Sequence, residues 1–195
     1  MRFLGLSELS EASLARDFIV PSHQDLPLLR LFLPFDSAAG PFRWSAALPK
    51  GHELGASASW MQTADPTMTP PSGCSAGGGR LDQATAAALI DRVGSLRLLA
   101  ARWVGYADFQ EPEHGYRDGD YVIAPFDICE LLAGERLPEF CWDEQHSFAW
   151  GGRLYPDSLI VAAAQPIFSG LASDARLDTV GIIGERDTLP LSSAD

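Results

Sequence analysis

The chain has 195 residues, of which 46% are hydrophobic and 21% are charged, and this composition excludes a disordered or fibrous protein. Twenty-six acidic residues against 14 basic residues give a formal net charge of -12 at pH 7, which disfavours binding to nucleic acids and anionic membrane surfaces. No apolar run approaches the roughly 20 residues that a transmembrane helix needs, and Glu8 interrupts the N-terminal stretch before a signal-peptide core can form. We therefore expect a cytoplasmic, globular protein with no nucleic-acid or membrane partner.

The first third of the chain predicts one helix followed by short strands. Residues 7–18 have the spacing of a short amphipathic helix, which Pro21 ends. The apolar run 28–33 and the segment 42–48 predict two strands that pair, and residues 56–62 predict a third.

A segment rich in proline and glycine, residues 63–79, predicts a long loop. Within it, residues 73–77 reproduce the Gly-x-Ser-x-Gly pattern of a nucleophile elbow around Ser75. An elbow requires a strand immediately before the serine and a helix immediately after it. Prolines precede this match and glycines follow it, so we do not expect Ser75 or the neighbouring Cys74 to be catalytic.

The rest of the chain predicts a sheet with two helices. The best helical pattern covers residues 81–93 and ends at Gly94, and a second short helix, 126–133, is expected to begin after Pro125 and end at Gly134. Strands are predicted at residues 96–106, 120–124, 147–150, 158–164 and 179–183. Strands and helices do not alternate regularly, so we predict a single α+β domain over residues 1–184, mostly antiparallel sheet with two or three helices. Residues 185–195 are predicted to form a flexible tail.

The residues that usually bind metals follow no established motif. The three cysteines form no Cys-x-x-Cys pair, which argues against a disulfide framework or a four-thiolate zinc site. One turn could bring together metal-capable atoms of Cys141, Asp143, Glu144 and His146. Their spacing fits no standard zinc motif, so we predict no metal and no other cofactor.

Negative charge is concentrated between Asp108 and Glu144. This acidic segment contains eleven acidic residues and only two arginines, Arg117 and Arg136. It could be an ordinary solvated surface, a docking surface for a basic partner, or a divalent-cation site. The acids lack EF-hand spacing, which disfavours the third interpretation. If a basic partner docks here, the expected contacts are Asp108, Glu111, Glu113, Asp118 and Asp120.

Several short segments form a recognisable pattern: residues 42–45, 79–81, 102–106, 118–122 and 155–157, together with Gly170. This pattern resembles a family of single-domain proteins of about this length from GC-rich soil bacteria. The resemblance implies a single cytoplasmic domain and carries no known activity. The chain is shorter than the family pattern between Pro166 and Leu177, where the family has a fuller helix.

Two functional hypotheses follow, and the absence of a catalytic motif favours the first. The chain could be a small acidic bacterial binding protein, such as an immunity or antitoxin protein that neutralises a basic toxin by covering its surface. Alternatively, it could be a hydrolase or a metal-dependent enzyme that uses the clustered acids with His114 or His146. General acid–base catalysis needs only a few groups that the fold brings together, so a missing linear motif leaves this alternative open.

Overall fold

A computed structural model of the protein describes residues 14–48, 50–58, 75–76, 79–107, 109–152 and 157–188. Within these ranges the protein has an α+β fold built on one eight-stranded sheet, in which every neighbouring pair of strands is antiparallel. A second sheet consists of two very short strands. The predicted fold class is therefore confirmed. No helix in these ranges is long and apolar enough to cross a membrane.

The strands, numbered along the chain, are β1 Leu28–Phe32, β2 Phe35–Asp36, β3 Ser75–Ala76, β4 Leu98–Trp103, β5 Tyr116–Asp118, β6 Tyr121–Phe126, β7 Phe140–Asp143, β8 Phe148–Gly151, β9 Ser158–Ala163 and β10 Asp178–Ile182. The order across the large sheet is β10-β1-β9-β8-β7-β4-β6-β5, and β2 pairs with β3. Strands β5 and β10 are therefore the two edges of the large sheet. The central strand β9 is buried along its whole length.

Both faces of the sheet are covered by apolar side chains. The helices are α1 Trp44–Ala47, α2 Gln83–Val93 and α3 Gln165–Ala172, with 3-10 helices at Ala15–Phe18, Pro21–His23 and Ile128–Ala133. Helices α2 and α3 and the last 3-10 helix pack on one face, around the side chains of Leu31, Trp150 and Val161. The segment that contains Phe18 and Ile19 packs on the other face. Alternating side chains of each strand thus enter two separate cores.

Most of the predicted strands and the main helix are confirmed, with ends that shift by a few residues. Helix α2 begins after Asp82, whose carboxylate accepts hydrogen bonds from the backbone N–H groups of Ala84 and Thr85, and it ends at Gly94 as expected. Of the predicted N-terminal helix, the described part is the 3-10 helix Ala15–Phe18. The predicted loop 63–79 lies outside the described residues except for β3 and Gly79. The predicted strand 56–62 is a turn at residues 56–57 and lies outside the described ranges from residue 59 onward.

The predicted strand over residues 42–48 is wrong, because this segment contains the short helix α1. Trp44 is fully buried, and its indole N–H donates to the carbonyl oxygen of Leu33 at 2.8 Å. Asp178 holds the start of this helix, since its carboxylate accepts from the backbone N–H of Ser45 and pairs with Arg43. Strand β1 pairs with β9 and β10 and not with this segment. The contacts of Trp44 and Asp178 outweigh the local strand propensity of the segment.

Pro125 does not begin the short helix as predicted, because it lies within β6 opposite Leu99. The helix begins at Ile128, and the side chain of Asp127 caps it by accepting from the backbone N–H of Cys129. Gly134 ends it in the left-handed conformation, with φ of 72°. The sequence patterns do not predict the short strands β2, β3 and β5, strand β7 or helix α3. Acidic residues break the apolar pattern around β7, and Pro166 suggests a break although it lies in the first turn of α3, where proline is tolerated.

The end of the described chain is attached to its beginning. Leu14 forms a β-bridge with Thr188, and the backbone N–H of Ala15 donates to the carbonyl oxygen of Asp187 at 2.8 Å. Residues 187 and 188 of the predicted tail therefore pair with residues 14 and 15 at the start of the first 3-10 helix.

Candidate functional site

The predicted partner contacts lie around the free edge of the sheet. Strand β5 pairs with β6 and with no other strand in the described ranges. Glu111 and Glu113 belong to the loop that leads into β5, and Asp118 and Asp120 flank the turn into β6. All are exposed except Asp118, which is half-buried. Asp108, the remaining predicted contact, lies outside the described residues.

Arg117 is the one basic residue of β5, and it is close to this acidic edge. Its guanidinium lies 4.0 Å from a carboxylate oxygen of Glu111, and both side chains are more than half exposed. Exposed ion pairs of this kind contribute little to stability. The acidic edge, which we define as Glu111, Glu113, Asp118 and Asp120, therefore retains a net negative charge beside a strand that pairs with one other strand in the described ranges.

Other acids of the segment have internal structural roles and do not belong to one continuous surface. Glu139 and Asp143 are almost completely buried. Asp127 and Glu130 form a capping box at the start of the last 3-10 helix, where acceptor side chains satisfy backbone N–H groups. The acidic segment thus divides into an exposed edge and a set of anchoring carboxylates, a division that charge counting alone does not reveal.

A cavity of about 440 Å³ lies beside this edge, on the face of the sheet that carries the helices. Its floor consists of small or short side chains from β4 and β6: Ala100, Val122 and Ala124. The rings of Tyr106, Phe109 and Phe126 are also in its lining. A volume of this size falls within the range of small-ligand pockets, roughly 300–1,000 Å³.

The buried carboxylate of Glu139 anchors the loop that borders the cavity. The hydroxyl of Tyr106 donates to Glu139 at 2.5 Å, and the backbone N–H of Trp103 donates to the other oxygen of the same carboxylate at 2.7 Å. Burial raises the pKa of Glu139, although these hydrogen bonds oppose the shift. Burial and the adjacent Glu139 also raise the pKa of Tyr106, so its hydroxyl remains a donor.

Two arginines reach the same cavity. The guanidinium of Arg136 lies over the ring of Tyr106, 4.1 Å from its centroid, in the geometry of a cation–π contact. Arg102 donates through Nη1 to the carbonyl oxygen of Arg136 at 2.8 Å. Its Nη2 lies 3.4 Å from a carboxylate oxygen of Glu130, a long contact between partly exposed side chains. The cavity therefore combines guanidinium and carboxylate groups with an apolar floor.

A second cluster joins the N-terminal segment to the turn between β7 and β8. Nε2 of His23 lies 3.2 Å from Oδ1 of Asp143, and both side chains are buried. The same carboxylate accepts from the backbone N–H groups of Gln145, Ser147 and Phe148 and from the hydroxyl of Ser147. Burial alone would raise the pKa of Asp143, but these hydrogen bonds together lower it.

These contacts determine the tautomer of His23. Burial lowers the pKa of this imidazole, although Asp143 opposes the shift, so the ring is mainly neutral at neutral pH. Ionised Asp143 can only accept, so the proton of the neutral ring is on Nε2. Nδ1 is then an acceptor, 2.9 Å from the hydroxyl oxygen of the exposed Ser22. Ser22, His23 and Asp143 thus form a continuous donor–acceptor chain.

A second histidine lies against the first. The rings of His23 and His146 stack with centroids 4.9 Å apart, and Nε2 of His146 lies 2.9 Å from Oδ1 of Asp25. His146 has φ of 59°, the one positive value among the described non-glycine residues. Backbone conformations of this kind are costly for residues other than glycine and are enriched at functional sites.

The predicted metal-capable turn does not form a metal site. In the ranges that the structure describes, no group of three or more His, Cys, Asp or Glu side chains could hold a metal ion. Cys141 points into the core and Glu144 is exposed. The carboxylate of Asp143 accepts hydrogen bonds from backbone N–H groups of the turn. Sequence reasoning identified Asp143 and His146, but it missed Ser22 and His23, because their partner Asp143 is distant in sequence.

Comparisons with known proteins add no name to these sites. No family model, no curated protein and no solved structure matches this chain.

Proposed function

We propose that this protein is a small acidic binding protein that recognises a basic protein partner at the acidic edge of its sheet. One observation carries the proposal: β5 is an edge strand of the sheet in the described ranges, and exposed carboxylates flank it at both ends. Neutralisation of a basic toxin, as by an immunity or antitoxin protein, is the biological role that this chemistry suits.

The strand edge supplies the means of attachment. An edge strand exposes backbone N–H and C=O groups that can pair with an extended segment of another chain. Strand β5 is only three residues long, and its side chains are Tyr116, Arg117 and Asp118. Tyr116 is 58% exposed, and exposed tyrosines are enriched at binding hot spots.

The carboxylates supply selectivity for a basic partner. With a net charge of -12 over the whole chain, long-range attraction speeds the approach of a cationic partner, typically by about 10- to 1,000-fold at low salt. Acids at both ends of β5 favour an added strand whose exposed side chains are arginine or lysine, and they repel acidic strands.

The experiment measures binding of a short fluorescent peptide of alternating arginine and valine residues by anisotropy, at a series of salt concentrations. We expect saturable binding that weakens as salt increases. The variant Glu111→Gln/Glu113→Gln/Asp118→Asn/Asp120→Asn should slow association about tenfold or more at low salt and reduce the salt dependence.

A control variant removes the same number of acidic charges, at exposed positions elsewhere: Asp36→Asn/Glu53→Gln/Asp91→Asn/Glu144→Gln. It separates a local surface from the general field, and we expect it to retain most of the association rate. Equal losses in both variants, or equal binding of a peptide of alternating glutamate and valine, would contradict the proposal.

A second candidate function, an acyl hydrolase, is supported by the chain from Ser22 through His23 to Asp143. In this mechanism the Ser22 hydroxyl oxygen attacks an acyl carbon while its proton passes to Nδ1 of His23, which then protonates the leaving group. Water releases the acyl group from Ser22 by the same proton transfers in reverse. This candidate relies on His23 rather than on His114 or His146.

A fluorophosphonate probe tests the second candidate, because it labels only serines that a base activates. We expect labelling that Ser22→Ala abolishes, that His23→Gln reduces, and that the exposed control Ser95→Ala leaves unchanged. The absence of labelling in the wild-type protein would remove this candidate.

A further inference from the structure

The loop beside the cavity packs tightly on β6. A Cβ atom at Gly115 would lie only 2.6 Å from Cγ1 of Val122 and 2.9 Å from Cγ of Pro112. Glycine is therefore needed where the loop presses on β6, next to the cavity floor. Together with the Tyr106–Glu139 hydrogen bond, this packing gives the cavity a fixed wall, and preformed walls are typical of small-ligand sites.

The charged groups in the cavity have opposite signs and are adjacent. Arg102 and Glu130 face each other across 3.4 Å, with side chains that are 27% and 46% exposed. In the described ranges, Arg102 donates hydrogen bonds only to Glu130 and to the carbonyl oxygen of Arg136. A guanidinium has five N–H donors, so Arg102 retains donors for a ligand.

This mixture of charges restricts the class of ligand. A simple anion would meet the carboxylates of Glu130 and Glu135 as well as the negative field of the whole protein. A simple cation would meet Arg102 and Arg136. A zwitterion with adjacent carboxylate and ammonium groups pairs with both members of the Arg102–Glu130 pair and has no net charge to be repelled.

The apolar part of the cavity selects the remainder of the ligand. Ala100, Val122 and Ala124 give the cavity an apolar floor, and the aromatic residues Tyr106, Phe109 and Phe126 also line it. Planar apolar groups pack against such rings in offset or edge-to-face geometry. We propose that this cavity binds a free α-amino acid with an aromatic or large apolar side chain, its carboxylate on Arg102 and its ammonium on Glu130. The site is separate from the strand pairing proposed above.

Three probes that share a phenyl ring and differ in their charged groups test this proposal. They are L-phenylalanine, 3-phenylpropionate, which lacks the ammonium group, and 2-phenylethylamine, which lacks the carboxylate. We expect saturable binding of L-phenylalanine by calorimetry and by shifts of the Ala100 and Ala124 methyl resonances. Each of the other two should bind about tenfold more weakly or worse, the factor that corresponds to about 1.4 kcal/mol.

Two variants test which residue binds each charged group of the ligand. Arg102→Gln should remove the advantage of L-phenylalanine over 2-phenylethylamine, and Glu130→Gln should remove its advantage over 3-phenylpropionate. A purely structural loss would weaken all probes equally and would not move these ratios. Arg117→Gln, at an exposed arginine that does not line the cavity, is the matched control.

Arg102 also donates to the carbonyl oxygen of Arg136, so a third variant tests the cavity without changing Arg102. Ala124→Leu fills the cavity floor and leaves both charged groups in place, so it should abolish binding of L-phenylalanine. The proposal is overturned if none of the probes binds saturably to the wild-type protein, if all bind equally well, or if Ala124→Leu binds L-phenylalanine normally. None of these results depends on whether the peptide binds at β5.

Discussion

His23 and Asp143 are 120 residues apart in sequence and form a buried pair, with Nε2 of the imidazole 3.2 Å from a carboxylate oxygen. This contact attaches the N-terminal segment to the turn between β7 and β8. Since burial lowers the pKa of His23, the folded protein holds the ring in its neutral form. Several properties of the protein should depend on this pair.

Stability should fall as the solution is acidified below the ordinary histidine pKa of 6.5. The unfolded chain binds a proton on His23 in this range and the folded protein does not, so the free energy of unfolding decreases as pH falls, until the folded-state pKa is passed. One such proton contributes a slope of at most about 1.4 kcal/mol per pH unit. Urea unfolding at a series of pH values should show this slope in the wild-type protein and lose it in His23→Gln. The exposed control His114→Gln should retain it, and a slope that survives in His23→Gln would assign it to another group.

Asp143→Asn should be strongly destabilising, because the carboxylate accepts from several backbone N–H groups of one turn. An amide group has only one oxygen, so buried donors lose their acceptor at a cost of about 1–3 kcal/mol each. Chemical denaturation should show the loss. The adjacent exposed residue provides a control, since Glu144→Gln should change stability by less than about 0.5 kcal/mol. Similar effects of the two substitutions would show that the turn does not depend on Asp143.

The Tyr106–Glu139 hydrogen bond should stabilise the cavity wall measurably. Tyr106→Phe removes a bond to a buried carboxyl group, at an expected cost of about 1.5–3 kcal/mol. A double-mutant cycle with Glu139→Gln should give a coupling energy of about 0.5–3 kcal/mol. Tyr116→Phe, at an exposed tyrosine, should be nearly neutral and should not couple with Glu139→Gln. Simple additivity of Tyr106→Phe and Glu139→Gln would mean that the short contact adds nothing to stability.

Gly134→Ala should destabilise the protein by about 1–2 kcal/mol, through backbone conformation alone. Gly134 has φ of 72° and open space where a Cβ would lie, so the cost arises from the left-handed conformation. Gly181→Ala is a matched control, because Gly181 also has open space but lacks a positive φ, and it should be neutral or slightly stabilising. Thermal unfolding of both variants measures the difference, and equal effects would contradict this explanation.

The fold could be predicted from sequence wherever local pattern and tertiary contact agree. Helix α2 has a capping aspartate, an apolar face and a terminal glycine, so its limits are encoded locally. Helix α1 could not be found this way, because Trp44 and Asp178 fix it through contacts with distant residues. Strand β7 was missed because its carboxylate, Asp143, is buried against the turn it organises.

The candidate sites were predictable only in part for a similar reason. The acidic segment is visible in composition, but composition does not distinguish the exposed Glu111 from the buried Glu139. The cavity brings together β4, β6, the last 3-10 helix and two loops, so its pairing of Arg102 with Glu130 depends on the sheet order. No periodicity in the sequence encodes that order.

The central claim, that a basic extended segment pairs with the free edge of β5, is tested most directly by hydrogen exchange at single amides. Exchange of the Tyr116, Arg117 and Asp118 amides is measured by NMR with and without the peptide of alternating arginine and valine. We predict slower exchange at those β5 amides that do not face β6, no change at the opposite edge strand β10, and no protection by a peptide with N-methylated backbone amides. Binding of the basic peptide with unchanged exchange along β5 would contradict the claim.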